Sequence, residues 1–150
     1  MPEARGQLVL AFDFGLRRIG IASGDTLTGT AAPHLALSVG DRGIDWSAIA
    51  RTLQQFQPAL LVVGRPRNAD GTAGTLSAAA DRFAASLGER TGLPVHRSDE
   101  YASSLEAAAA LRAQRASGQR RRRVRAGDID SAAAAIILER YLGHTGGIDD

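Results

Sequence analysis

The chain has 150 residues, a formal charge of +2 and no cysteine, a length that suits one domain burying about 68–70% of the surface its unfolded chain exposes. Disulfides, thiolate zinc sites and cysteine nucleophiles are excluded, and a reducing compartment fits. The opening Met1-Pro2-Glu3-Ala4-Arg5-Gly6 lacks the basic and apolar regions of a secretory signal, and no apolar run reaches the roughly 18 residues of a membrane span, so a soluble cytoplasmic protein without a membrane partner is expected.

Leu8-Val9-Leu10-Ala11-Phe12-Asp13-Phe14 is a nearly unbroken apolar run carrying one acid near its end, the pattern of a central strand buried on both faces. Gly15-Leu16-Arg17-Arg18 follows as a hairpin turn in which Gly15 is free to take positive φ, and residues 19–25 read as the returning strand. A third strand runs through residues 28–38, and Pro33, which has no N–H to donate, assigns it to an edge. The pattern then turns helical. Over residues 45–56, Ile49, Leu53 and Phe56 share one face, with Asp45 as N-cap and Pro58 as a stop. Residues 59–64 form another buried strand, a loop over 65–72 leads to a helix near 74–91, and residues 94–100 make a weaker strand. Helices near 101–115 and 129–143 complete the chain, separated by a basic segment of low apolar content, 116–126, that reads as a mobile arm within a single domain spanning 1–150. No internal repeat is found. The order βββαβαβαα is the ribonuclease H-like α/β plan, a five-stranded mixed sheet of expected order 3-2-1-4-5 flanked by helices, in which two parallel strands are added to an antiparallel meander through helical crossovers.

Three acids fall where this plan gathers ligands, outside the carboxyl ends of strands. Asp13 ends the central strand. It reads either as a turn-capping residue before Gly15 or as a metal ligand, since a buried carboxylate is costly unless something neutralises it. Glu100 ends the last strand in Ser98-Asp99-Glu100, where either acid is able to cap the next helix; the residues alone favour the cap for Asp99 and, narrowly, for Glu100 as well. Asp130 opens the last helix, whose apolar face includes Ala133, Ile136, Ile137 and Leu142, and an N-cap or first-turn acid there would be ordinary. Asp128 competes for both roles. His34, His96 and His144 read as structural.

The charge is uneven. Seven arginines and no acid lie between Arg112 and Arg125, so the other 11 basic and 16 acidic residues leave the rest of the chain at −5. Arg120, Arg121, Arg122, Arg123 and Arg125 are a solvated loop by the ordinary reading, and beside a metal site they become a clamp for a phosphate backbone, with salt-sensitive affinity. Arg65 and Arg67, in Arg65-Pro66-Arg67-Asn68-Ala69-Asp70-Gly71-Thr72, can bind a phosphate with the amides of the following helix entry, or the segment is a plain Asp-Gly turn. Arg17 and Arg18 join them as candidate nucleic-acid contacts. Phe12, Phe14, Phe56, Phe83 and Tyr141 fall at core positions, leaving Trp46 and Tyr101 as base-stacking candidates, so recognition rests on shape and phosphates.

These segments resemble the YqgF family, relatives of the Holliday-junction resolvases that include a nuclease for small-subunit ribosomal RNA precursors. The matching blocks are Ala11-Phe12-Asp13-Phe14-Gly15 with Arg18-Ile19-Gly20, Gly29-Thr30-Ala31 with Pro33, Val62-Val63-Gly64 with Pro66, Asn68, Asp70, Gly71 and Thr72, then Asp99-Glu100, and Ile129-Asp130-Ser131-Ala132-Ala133 with Ile136-Ile137-Leu138-Glu139. They keep the family order from about residue 8 to 142. The resemblance implies that Asp13, Glu100 and Asp130 are the catalytic, metal-holding acids and that Mg²⁺ or Mn²⁺ is the cofactor. Phosphodiester hydrolysis by one or two such ions needs no protein nucleophile. Two departures stand out: Tyr101 replaces the arginine usual after the glutamate, with Ser103-Ser104 for the usual Thr-Ser, and Arg65 follows Gly64 where an apolar residue is usual. Arg65 or Arg97 is a candidate to compensate for the missing arginine.

The expected function is metal-dependent cleavage of structured nucleic acid, with maturation of the 5′ end of the 16S ribosomal RNA precursor as the implied task and ribosomal particles as implied partners. Alternatives are a Holliday-junction resolvase acting on branched DNA, which needs two symmetric active sites, and a binding module that has lost catalysis. Monomer and weak homodimer both remain open. The Asp13-Phe14-Gly15 likeness to the phosphate loop of actin-like and sugar kinases is set aside, because those proteins close two such domains around a nucleotide.

Overall fold

The computed structural model describes residues 6–66, 75–100 and 126–145, without the side chains of residues 65–66, 75–76, 99–100, 126–128 and 144–145. The expected helix near 101–115, the basic arm up to residue 125 and the loop residues 67–72 lie outside the described residues. Among the described residues, five strands and three helices follow in chain order: β1 (Leu8–Phe14), β2 (Arg18–Asp25), β3 (Thr30–Ser38), α1 (Trp46–Phe56), β4 (Leu60–Pro66), α2 (Thr75–Thr91), β5 (Val95–Glu100) and α3 (Ala126–Thr145). The strands form one sheet of order β3-β2-β1-β4-β5. The β1–β2 and β2–β3 pairs are antiparallel, and β1–β4 and β4–β5 are parallel. This is the ribonuclease H-like arrangement expected from the element order.

Local chemistry sets the boundaries. Asp45 caps α1 by accepting from the Ala48 amide at 3.1 Å, and the helix ends where Gln57 turns left-handed (φ 49°) and donates to the Leu53 carbonyl ahead of Pro58. The β2–β3 connection is an aspartate-nucleated turn: Asp25 Oδ1 accepts from the Leu27 amide at 2.7 Å, so Thr28 belongs to the turn and β3 starts at Thr30. Pro33 does sit on an edge strand, and the register slips there, Ile21 facing Leu35 and Ala22 facing Pro33. His34 is thus the extra residue of a β-bulge, and it hydrogen-bonds to Ser23 at 2.6 Å. The first hairpin uses its glycine differently from expectation. Gly15 does not take positive φ; instead its Cβ would lie 2.7 Å from the Arg18 carbonyl oxygen, so the turn needs the space.

Side chains alternate across β1. Leu10, Phe12 and Phe14 enter a core with Ile19, Ile21, Leu61 and Val63, covered by α1 through Ile49 and by α2 through Ala80, Phe83, Ala84 and Leu87. Val9 and Ala11 point the other way, with Val62, under Ile137, Leu138 and Leu142 of α3. Ile136 is only half-buried, so the face that α3 turns to the sheet is centred on Ala134, Ile137 and Leu138. Trp46 is not a free stacking surface: its ring stacks on Phe83 (5.6 Å between centroids) under the Arg90 guanidinium at 4.1 Å. Among the described residues no helix is long and apolar enough to cross a membrane.

The seat of α3 is made by glycines. A methyl group at Gly20 would overlap the Asp130 backbone carbonyl, and one at Gly64 would overlap the tip of the Ile137 side chain. Overpacking a core typically costs about 1–3 kcal/mol, more where backbone must move. Gly20→Ala therefore destabilises by about 3 kcal/mol, and Gly64→Ala by about 1 kcal/mol because Ile137 can rotate away. Urea denaturation of the two variants gives that ranking; equal costs would contradict it.

Candidate active site

Asp13 occupies the next-to-last position of β1, on the face that carries Val9 and Ala11 under α3. Its partners in the sheet are Gly20 on β2 and Gly64 on β4, and Gly64 in turn pairs with Ser98 on β5. The acid is flanked on both sides by residues with no side chain, so helix backbone can descend to its level. That backbone is Asp130–Ser131, directly above Gly20. Two carboxylates 117 positions apart in the chain thus meet at the carboxyl end of the central strand.

The consequence is electrostatic. Burial, and then the charge of Asp130, push the Asp13 carboxyl up from an ordinary 3.8 to about 7. Water cannot solvate the ionised form well, and a like charge opposes it. Asp130 is held by Arg18, whose Nε donates to Oδ2 at 2.5 Å. The expected helix-opening role of Asp130 is corrected: α3 begins at Ala126, so Asp130 lies one turn inside it and is not an N-cap.

Glu100 is the last residue of β5, paired in register with Pro66 two steps beyond the Gly64–Ser98 pair. Its backbone therefore lies at the same end of the sheet as Asp13, and its side chain lies outside the described set. Among the described side chains, no third metal-ligating group joins Asp13 and Asp130. Arg17 is exposed in the turn after β1 and Arg65 lies on β4. Arg67, Arg120, Arg121, Arg122, Arg123 and Arg125 fall outside the described residues. Arg97 cannot substitute for the arginine replaced by Tyr101: it pairs in register with Val63 and binds Asp81 of α2 at 3.1 Å, on the face away from Asp13. His34 and His96 are structural, His96 being bonded to Tyr141 at 2.5 Å.

Two features were missed in the sequence. The pairing of Arg18 with Asp130 had no local signal. The glycine neighbours did have one: once the hairpin is closed at Phe14 and Ile19, Gly20 must lie opposite Asp13.

The donor set suits a hard dication. Asp13 and Asp130 offer carboxylate oxygens only, and their mutual repulsion is the unfavourable term that a Mg²⁺ or Mn²⁺ ion between them would reverse.

Comparison with known proteins gives the family. The chain matches the RuvX family, described as Holliday junction resolvase, over residues 7–144. It is 44% identical over 134 residues to a protein of Escherichia coli O157:H7 (strain EC4115 / EHEC) named "Putative pre-16S rRNA nuclease", covering 89% of this chain and 94% of that one. A protein of the same name from Escherichia coli O7:K1 (strain IAI39 / ExPEC) is 43% identical over the same shares. Among solved structures, T. thermophilus RuvC in complex with a Holliday junction substrate superimposes with a TM-score of 0.51 at 16% identity, over 94% of this chain and 96% of that one, a likeness of fold. With a match that runs through every strand and helix described above, the chain belongs to the RuvX family, the YqgF family that its sequence blocks resemble.

Proposed function

We propose that this protein is a divalent-metal-dependent nuclease that cleaves structured nucleic acid, with the 5′ end of the 16S ribosomal RNA precursor as its substrate in the cytoplasm. The observation that carries the reading is the convergence of Asp130 on Asp13, which stands between Gly20 and Gly64, in a chain 44% identical to a named precursor nuclease. Asp13, Asp130 and Glu100 hold Mg²⁺ or Mn²⁺; the bound ion supplies activation of water and charge stabilisation for phosphodiester hydrolysis. Arg17, Arg18, Arg65 and Arg67, together with the arginines of 120–125, supply positive charge for the phosphate backbone, so affinity falls steeply with salt. Branched DNA is the second substrate reading, favoured by the family description and by the RuvC likeness of fold.

Cleavage of a 16S precursor transcript by the purified protein, with Mg²⁺ or Mn²⁺ and beside a four-way DNA junction as comparison, tests this. Asp13→Asn and Asp130→Asn are expected to lose at least about 100-fold in rate, as removal of charge at a metal site does. Undiminished cutting by Asp13→Asn would sink the assignment, and junction cleavage without precursor cleavage would move the substrate to DNA.

Stability gives a second, independent check. Without added cation, the folded protein keeps the Asp13 proton up to a pH of about 7, whereas the unfolded chain releases it near 3.8. Between those values the folded state binds more protons, so this group makes stability fall as pH rises and the loss is complete above about pH 7. Asp13→Asn escapes it. The variant is expected to match wild type near pH 4 and to exceed it at pH 8 by about 2–4 kcal/mol, and a variant no more stable than wild type at pH 8 contradicts the buried-acid account. Mg²⁺ is expected to raise the wild-type Tm more at pH 8 than at pH 5, because at pH 5 it must displace the proton, and to leave Asp13→Asn nearly unchanged.

A further inference from the structure

Arg18 opens β2 immediately after the turn that follows Asp13, on the same face of the sheet as Gly20 and Ala22. Its guanidinium reaches Asp130 across 112 positions of sequence through Nε alone. The side chain is 41% exposed and that of Asp130 20%. Among the described residues, the two Nη groups of Arg18 have no other hydrogen bond. This is a single-contact, half-open ion pair, a weak class of interaction, made by the side chain best suited to grip a phosphate with two parallel hydrogen bonds. It also holds one oxygen of a carboxylate that would hold a metal ion with Asp13.

A guanidinium and a dication compete for the same carboxylate. We propose that Arg18 is an exchangeable counter-ion: it pairs with Asp130 until a divalent cation takes that carboxylate, and the freed guanidinium then binds a phosphodiester oxygen of the nucleic acid. The proposal rests on the metal-site reading above and adds a coupling to it. Metal binding releases the arginine for the backbone, and backbone binding keeps the arginine from returning to Asp130, so each ligand strengthens the other reciprocally. The exposed Arg17 beside it can hold the approaching strand, whichever partner Arg18 has. If Arg18 instead served as a fixed brace for Asp130, its removal would weaken metal binding, which is the opposite sign.

Calorimetric titration with Mn²⁺ separates the two, using wild type, Arg18→Gln and Arg18→Lys, each checked for cooperative unfolding. Removing the competitor in Arg18→Gln is expected to tighten Mn²⁺ binding by about 3–10-fold. In parallel, the affinity for a fluorescein-labelled RNA stem-loop is measured by anisotropy with and without Ca²⁺, an oxygen-seeking ion. Wild type is expected to gain at least about fivefold from the ion and Arg18→Gln less than about twofold. Mn²⁺ affinity in Arg18→Gln equal to or below wild type, or an undiminished Ca²⁺ gain, overturns the exchange while leaving the metal site standing. No Mn²⁺ binding by wild type, as by Asp130→Asn, overturns the metal-site reading and the exchange together. Should Arg18→Gln fail to fold, Arg18→Lys decides: its ammonium makes only a hydrated point contact, so affinity for Mn²⁺ above wild type supports the exchange and affinity at or below wild type overturns it.

Discussion

The arrangement depends on one row of the sheet, Gly20–Asp13–Gly64–Ser98, in which an acid stands between two residues without side chains. α3 lies across that row. Because nothing projects from Gly20, the helix backbone at Asp130 and Ser131 settles onto β2. Further along the helix, Ile137, Leu138 and Leu142 are buried against Val9, Ala11 and Val62, each worth about 1.5–3 kcal/mol of transfer from water. The apolar half of α3 therefore holds its acidic half against Asp13, and no attraction between the acids is needed. A side chain at Gly20 would tilt the helix about its well-packed end and separate the two carboxylates, so the packing constraint and the chemistry are one feature.

Placing like charges together in a partly dry site is unfavourable, and the protein meets this in two ways. Asp13 keeps its proton to about pH 7, and Asp130 shares the charge of Arg18. Neither device removes the strain fully, since the proton is lost near neutral pH and the arginine contact is open to water. Such incompletely neutralised acids are what a hard cation binds well. The opposite face of the sheet shows the contrast. There Phe12, Phe14, Trp46 and Phe83 interlock between the sheet, α1 and α2, and among the described residues no charged side chain is buried. One face secures the fold, which leaves the other able to carry a locally destabilising site.

Much of this was legible in the sequence because it follows from local rules. The buried run of β1, the Asp45 cap, the edge strand marked by Pro33 and the βββαβ order each rest on a few neighbouring residues, and the strand order follows from crossover geometry. Asp13 was legible for the same reason, as an acid in an apolar strand. Asp130 was legible as an acid near the start of the last helix but was placed one turn out, since the alanine and glycine before it carry no strong start signal and the helix extends back to Ala126. The ion pair between Arg18 and Asp130 was not legible at all, because no local pattern records a contact between residues 112 positions apart. Trp46 looked available for bases only until α2 returned Phe83 and Arg90 to cover it.

Parity decides which arginine can serve the acids. On a strand, successive side chains face opposite sides, so a single step in register moves a cation across the whole thickness of the sheet. Arg97 aligns with Val63, a residue of the aromatic core face, and accordingly binds Asp81 of α2. Arg18 shares the parity of Gly20, the direct partner of Asp13, and reaches Asp130. The count of arginines near a site in sequence is thus a poor guide to its electrostatics. Among the described residues, the positive charge that bears on the acids comes from the first residue of β2, whose strand parity, shared with Gly20, brings it to Asp130, and replacing Gly20 would disturb that arginine and its acid together.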